Sequence, residues 1–300
     1  MIKAVLKSLT GEIDNAKAIW KIIYTTVGFV SSVYAFSVLL KELEITSVIE
    51  AWVKAHICIV IIVCMIAAIA YRREKLTRSY NVSDSDLQIA FCVKDLFGIK
   101  ADSYVIPTNT FFRTKMEGEY ISSKSVQGRF QEKFFKSNPE ELDLLISESI
   151  KEQEIEGINS RDRFGDVKRY PVGTVAKIDH NKKHYYFVAI NDVNEFGKPI
   201  GQAKTNIDTA LCGLMQAVKR FGHCDSICTP LIGTGRAAIK DATIEKVFQI
   251  TVNSFVESQE KIAQKVIICI NPKDYVEDRA DISRLNKYLA NKCEFPSTGN

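Results

Sequence analysis

Two uncharged runs dominate the first quarter of the chain: Ile22 to Leu40, 19 residues, and Ala55 to Tyr71, 17 residues. Coiled as α-helices they would rise about 28 and 26 Å, close to the roughly 30 Å hydrocarbon thickness of a bilayer. The pattern predicts a two-helix transmembrane hairpin, with spans at about 20–40 and 53–71, inside an N-terminal segment 1–78. Beyond it the period changes. Short β-branched runs at Leu87–Val93, Ser103–Pro107, Val172–Ile178, His184–Ile190, Ser226–Ile232 and Lys265–Ile270 predict strands, several apolar enough to be covered on both faces. Between them Ile207, Leu211, Leu214, Val218 and Phe221 recur at helical spacing and stop at Gly222, while Asp241 opens a helix through Ile244, Val247, Phe248 and Phe255. This alternation predicts an α/β domain over 87–300, a mixed sheet between helices, joined to the first segment by a polar linker at 79–86. Residues 138–156 carry seven acids and read as a solvated helix or an insertion.

Charge sharpens the division. The net charge is +4, and residues 1–80 hold ten Lys and Arg against six acids, so the whole excess belongs there. The larger part is neutral, which speaks against a long electropositive face and against nucleic acid as a partner. Lys17, Trp20 and Lys21 precede the first run, Arg72, Arg73, Lys75 and Arg78 follow the second, and the loop between them is net negative. The positive-inside rule then places both termini in the cytoplasm. A buried helical hairpin in a soluble core has the same hydropathy. A signal peptide fits the first run less well, since its apolar stretch is usually about 7–15 residues. Thr25, Gly28, Ser32 and Ala35 form a small-residue stripe that lets another helix approach, either the second span or another copy. The eight cysteines lie in or near apolar runs and read as buried reduced thiols.

Three segments could hold chemistry. Cys228 to Ile239 is an apolar strand that runs into Gly233-Thr234-Gly235-Arg236; the glycines unshield backbone N–H groups and Arg236 can fork onto phosphate, holding a diphosphate without a metal. A strand-to-helix turn demands glycine too. Asn109 and Thr110 fall just past the carboxyl end of a strand, where open α/β sheets bind ligands; a turn-forming Asn is the alternative. Ser125, Val126, Gln127 and Gly128 lie in a polar stretch that either adds N–H groups or is simply a loop. His223, Cys224 and Cys228 fall short of the four ligands structural zinc needs, and His180 and His184 flank a turn. No nucleophile elbow, His-Glu-x-x-His or Walker lysine is present, so no metal, cofactor or catalytic residue is expected from motifs.

Together the three segments resemble a macro domain, the fold that cradles ADP-ribose. Val93-Lys-Asp-Leu-Phe97 is similar to the family's Gly-Asp-Ile segment, which implies that Asp95, beside Leu96, receives the adenine amino group. Val105-Ile-Pro-Thr-Asn109 resembles the family's Val-Asn-Ala-Ala-Asn and implies Asn109 beside the distal ribose, and Gly233 to Arg236 resembles the diphosphate loop. Where many members carry a glycine triplet in the first loop, this chain has Ser125, Val126, Gln127 and Gly128, a departure that weighs against ADP-ribosyl hydrolysis. With its two-span N-terminus the chain resembles the membrane-anchored effectors of type II Thoeris, a bacterial anti-phage system, over nearly its whole length. That resemblance implies a multi-pass protein of the bacterial inner membrane with a cytoplasmic macro domain. It implies that this domain senses an ADP-ribose derivative, a histidine conjugate in that family, made by a partner TIR-domain protein. Homo-oligomerisation and disruption of the lipid bilayer would follow. The competing expectation is a membrane-tethered ADP-ribosyl hydrolase in which Asn109 orients the ribose and a loop-bound water attacks.

Overall fold

Apolar residues organise the first part of the chain as four helices, α1 (Ile2–Thr10), α2 (Ala16–Glu42), α3 (Val48–Ala55) and α4 (Ile57–Arg72). In this computed structural model, which describes residues 2–10, 16–45, 47–200, 205–222, 224–235, 243–258 and 262–296, they belong to a compact unit of residues 1–76, separate from a second unit of residues 77–300. Within α2, Ile19–Glu42 has a mean hydropathy of 1.7 and is long and apolar enough to cross a membrane. The expected second span at 53–71 is not one straight helix. Its backbone leaves the helical region at His56 (φ −118°, ψ 30°), and α3 and α4 meet there at 85°. No proline or glycine marks the break in sequence. α4 alone is 16 residues, or about 24 Å. It runs antiparallel to α2: Arg72 near its end donates to Thr25 Oγ1 at 2.5 Å, and Val60 and Cys64, one turn apart, pack against Phe29 and Val30.

The second unit contains β1 (Thr77–Asn81), β2 (Gln88–Val93), β3 (Ser103–Asn109), α5 (Val126–Phe134), α6 (Pro139–Lys151), β4 (Ile158–Asp162), β5 (Gly165–Arg169), β6 (Val175–His180), β7 (Lys183–Val193), β8 (Pro199–Ile200), α7 (Thr205–Phe221), β9 (Cys224–Pro230), α8 (Ile244–Val256), β10 (Ala263–Ile270), α9 (Pro272–Val276) and α10 (Ile282–Glu294). The main sheet has the order β1-β2-β10-β9-β3-β7-β6, with β8 paired to β7. β2, β10, β9, β3 and β7 are parallel neighbours; β1, β6 and β8 are antiparallel additions. It is a mixed α/β sheet flanked by helices. Ser79–Asn81, expected in the polar linker, belong to β1, a polar edge strand with no apolar alternation to betray it.

On one side of the sheet α5 and α6 bury Phe130, Leu142, Ile146 and Ile150 against Ile106, Phe187 and Ala176. The acidic segment is therefore a core helix with a charged outer face, started by Asn138, Pro139, Glu140 and Glu141, which suit the positive end of a helix. α5 occupies a stretch that reads as a loop, because its inner stripe of Val126, Phe130 and Phe134 is set among polar residues and only Phe130 is fully buried, ringed by Phe134, Phe135, Tyr185 and Phe187. Elsewhere α7 buries Ile207, Leu211, Leu214 and Val218, and Phe248 of α8 meets Phe91 edge-on at 6.0 Å. The β6–β7 turn places Asn181 and Lys182 at φ 51° and 59°, the left-handed pair that tight hairpins use, and His184 Nδ1 lies 2.6 Å from Asp179. Free cysteines are buried at 64, 92, 228, 269 and 293, whereas Cys58 and Cys212 are exposed, contrary to a uniformly buried set.

Candidate ligand-binding site

β3 and β9 are neighbours for only two residue pairs, Ser103 with Ile227 and Tyr104 with Cys228. Further along, Pro107 and Pro230 have no N–H to continue the ladder, the strands part, and a cavity of about 400 Å³ opens at their carboxyl ends. It reaches Lys94 and Asp95 after β2, Asn271 after β10, Leu231 after β9, Asn109 on β3, and Asn191 and Val193 on β7. Five adjacent strands at about 4.8 Å spacing make it about 19 Å long.

Local sequence explains how each group is held. Asn109, after a register shift at Thr108 that passes over Ile190, pairs with Asn191 on β7. Its Oδ1 accepts from the Phe111 N–H at 3.0 Å, and its Nδ2 donor has no acceptor among the described residues. Thr108 Oγ1 donates to Gln127 Oε1 at 3.0 Å, and Gln127 Nε2 donates to the Arg113 carbonyl at 2.9 Å. These bonds fasten the start of α5 to β3. Ser125 caps that helix by accepting from the Gly128 N–H at 3.0 Å and donating to the Ser122 carbonyl at 2.7 Å, while the N–H groups of Val126 and Gln127, at the first helical positions, have no intrahelical acceptor. A Cβ on Gly128 would stand 2.1 Å from the Ser122 oxygen. Across the cavity Gly233 has φ 85° in a turn where Thr234 Oγ1 donates to the Leu231 carbonyl at 2.9 Å.

Electrostatics divide the lining. Asp95 accepts from the Phe97 N–H at 3.0 Å and pairs with Arg129, and Asp274 pairs with Arg279. Burial raises the Asp274 carboxyl above its ordinary range, against the pull of Arg279. Each lining carboxylate thus has its own arginine. Lys94 and Lys124 have no carboxylate among the described residues, so those residues give the cavity two surplus positive charges. Cys269 donates to the Lys94 carbonyl at 3.0 Å, and burial pushes its thiol far above the usual range, unsuited to nucleophilic attack. The β7 end is mostly apolar, with Tyr120, Ile121 and Val193 in one small cluster. Arg113 supports this wall by gripping Asp162 of the β4–β5 hairpin at 2.9 and 3.1 Å.

Of the residues marked in sequence, Asp95, Leu96, Asn109, Ser125, Val126, Gln127, Gly233, Thr234 and Gly235 line this one cavity. Thr110 does not: it is buried and donates to Asp192 at 2.5 Å. Gly128 does not either, its N–H being spent on the Ser125 cap. Arg236 lies outside the described residues. Lys94, Lys124, Arg129, Asn191, Asn271, Asp274 and Arg279 also line the cavity without having been marked. The strand-end rule that singles out Asn109 also marks Asn191 and Asn271, whereas nothing local distinguishes Arg129 or Arg279. No cluster of three His, Cys, Asp or Glu able to hold a metal occurs among the described residues.

A family model described as "Thoeris protein ThsA, Macro domain" matches residues 89–271. Similar solved structures include an Oceanobacillus iheyensis macrodomain with ADP, at 14% identity and TM-score 0.48, covering 71% of this chain and 94% of that one. Another is the macrodomain of Mycobacterium tuberculosis DarG, at 17% identity and TM-score 0.41, covering 60% and 96%. No curated protein sequence matches the chain.

Proposed function

The chain belongs to the family of Thoeris ThsA macro domains, and on that premise we propose that its cavity binds an ADP-ribose-type molecule and that occupancy controls a membrane effector. The observation that carries this reading is the cavity's charge and shape. It is about 19 Å long, with two lysines that no described carboxylate opposes, an acceptor at one end and the Asn109 amide towards the other. A diphosphate diester carries two negative charges and joins two recognisable ends. In this reading Asp95 and Leu96 hold the adenine, with Asp95 accepting from its amino group. The N–H groups of Val126 and Gln127 and the Gly233-Thr234-Gly235 turn face the diphosphate, Lys94 and Lys124 balance its charge, and Asn109 donates to a distal ribose hydroxyl.

The ligand is a signal of the histidine-ADP-ribose class made by a partner TIR-domain protein, and the response is self-assembly at the bacterial inner membrane, with α2 and α4 as spans and the macro domain in the cytoplasm. A ligand that shifts a population from 1:99 to 99:1 must prefer one state by about 5.5 kcal/mol, and several bound copies acting together can supply it. Gly28, Ser32 and Ala35 are exposed on α2, and among the described residues nothing outside the helix's own backbone lies within 4 Å of a Cβ built on Gly28. This supports pairing of these three residues between copies, while Thr25, the first of the stripe, is engaged by Arg72 within the hairpin.

Calorimetric titration of the full chain in lipid nanodiscs with ADP-ribose tests the site. Saturable one-to-one binding is expected, weakened about tenfold or more by Asn109→Ala and by Asp95→Asn; equal affinity in both variants would remove the assignment. Chromatography of the same mixtures with ADP-ribosyl substrates separates a sensor, which leaves them intact, from a hydrolase, which converts them.

A further inference from the structure

The 85° break at His56 gives α3 an apolar face that stands exposed among the described residues. Glu50 is nearly buried and holds both Lys41, at the end of α2, and Lys54, one turn on, at 3.0 and 2.5 Å. That clamp fixes α3 about its axis, with Val53 turned inward to Val60 and Cys64. On the outside stand Val48, Ile49 and Trp52, 72%, 42% and 51% exposed, following Ile45 at helical spacing. The Trp52 ring is stacked on His56 at 4.7 Å and so held in place. A loop in water would place polar groups here. Instead the charged side chains of α3 are taken up by the clamp, and its apolar face continues into the exposed Ile57, Ile59 and Ile62 of α4.

We propose that α3 is not part of a membrane span but lies flat in the boundary between headgroups and acyl chains at the far leaflet, with the bilayer covering Val48, Ile49 and Trp52. The inference rests on α2 and α4 being spans. With α4 along the membrane normal, an 85° bend sets α3 within a few degrees of the membrane plane, the posture of an interfacial amphipathic helix, and Trp52 at the depth tryptophan favours. α4 then crosses alone with about 24 Å of helix against roughly 30 Å of hydrocarbon, a mismatch that thins the bilayer around each copy.

Tryptophan depth tests this, because the chain has only Trp20 and Trp52. The full chain carrying Trp20→Phe is reconstituted in phosphatidylcholine vesicles whose lipids are brominated at shallow or deep chain positions, with acrylamide as the aqueous quencher. Val48→Trp and Ile62→Trp are compared in the Trp20→Phe, Trp52→Phe background. Equal shallow quenching at positions 48 and 52, with deep quenching at 62, is the expected result. Position 52 lying deeper than 48 by about 6 Å, the rise of four helical residues, would make α3 part of a span and overturn the proposal. So would full acrylamide access at 48 and 52 without lipid quenching. Absence of deep quenching at 62 would instead refute the spans themselves, and the proposal with them.

Discussion

Lys94 and Lys124 offer the sharpest test of the cavity's electrostatics, since they alone among its described charges lack a partner of opposite sign. Replacing each by Gln keeps a polar side chain only one atom shorter and removes one positive charge. At about 5 Å from a diphosphate, a unit charge contributes about 3 kcal/mol at an effective dielectric of 20 and about 0.8 kcal/mol in water. Both side chains are exposed, so the screened figure applies: about 1 kcal/mol each, or about fivefold in Kd. The double variant should lose about 25-fold if the two act independently. Calorimetry of the full chain in nanodiscs with ADP-ribose, at 50 and 300 mM salt, reads the effect twice. Wild type should weaken as salt rises, and the double variant should start weaker and change less. Double-variant affinity equal to wild type at low salt would refute the charge balance that assigns the ligand class.

Other expectations follow from packing and linkage. Phe130→Ala empties a fully buried site and should cost about 3–5 kcal/mol in urea denaturation. Gly128→Ala sets a methyl against the Ser122 carbonyl; it should lower stability and also ADP-ribose affinity, because the first turn of α5 must shift, whereas exposed Gly235→Ala should leave stability unchanged. The Ser226 hydroxyl, then Lys183, hold the Asp102 carboxyl below its ordinary value of 3.8. The native state therefore gains stability from the ionised form, complete above that value and lost as pH falls through the lowered folded one. The gap in urea midpoint between wild type and Asp102→Asn should accordingly be wider at pH 6 than at pH 3.

Much of the sheet was legible because its parallel strands are covered on both faces and so read as continuous apolar runs: β2, β3, β7, β9 and β10 all appear near their expected positions. β1 and the β4–β5 hairpin were hidden by polar edge positions that packing does not discipline. α5 was hidden because its stability is tertiary, concentrated in the ring cluster about Phe130. The break at His56 follows no proline or glycine; it falls where the uncharged run begins, just after Lys54. In the site, motif spacing brought nine marked residues to one cavity. It could not show that Gly128 serves the cap, that Thr110 turns towards Asp192, or that Arg129 and Arg279 reach the cavity from residues distant in the chain.

The coupling between cavity and bilayer is tested most directly by dye release from liposomes carrying the full chain with its macro domain outward, challenged with the products of a TIR-domain enzyme acting on NAD. Wild type should release dye rapidly, Asn109→Ala should release none, and no release should occur without the products. Release of the same rate and extent with and without the products, or in wild type and Asn109→Ala alike, would contradict it.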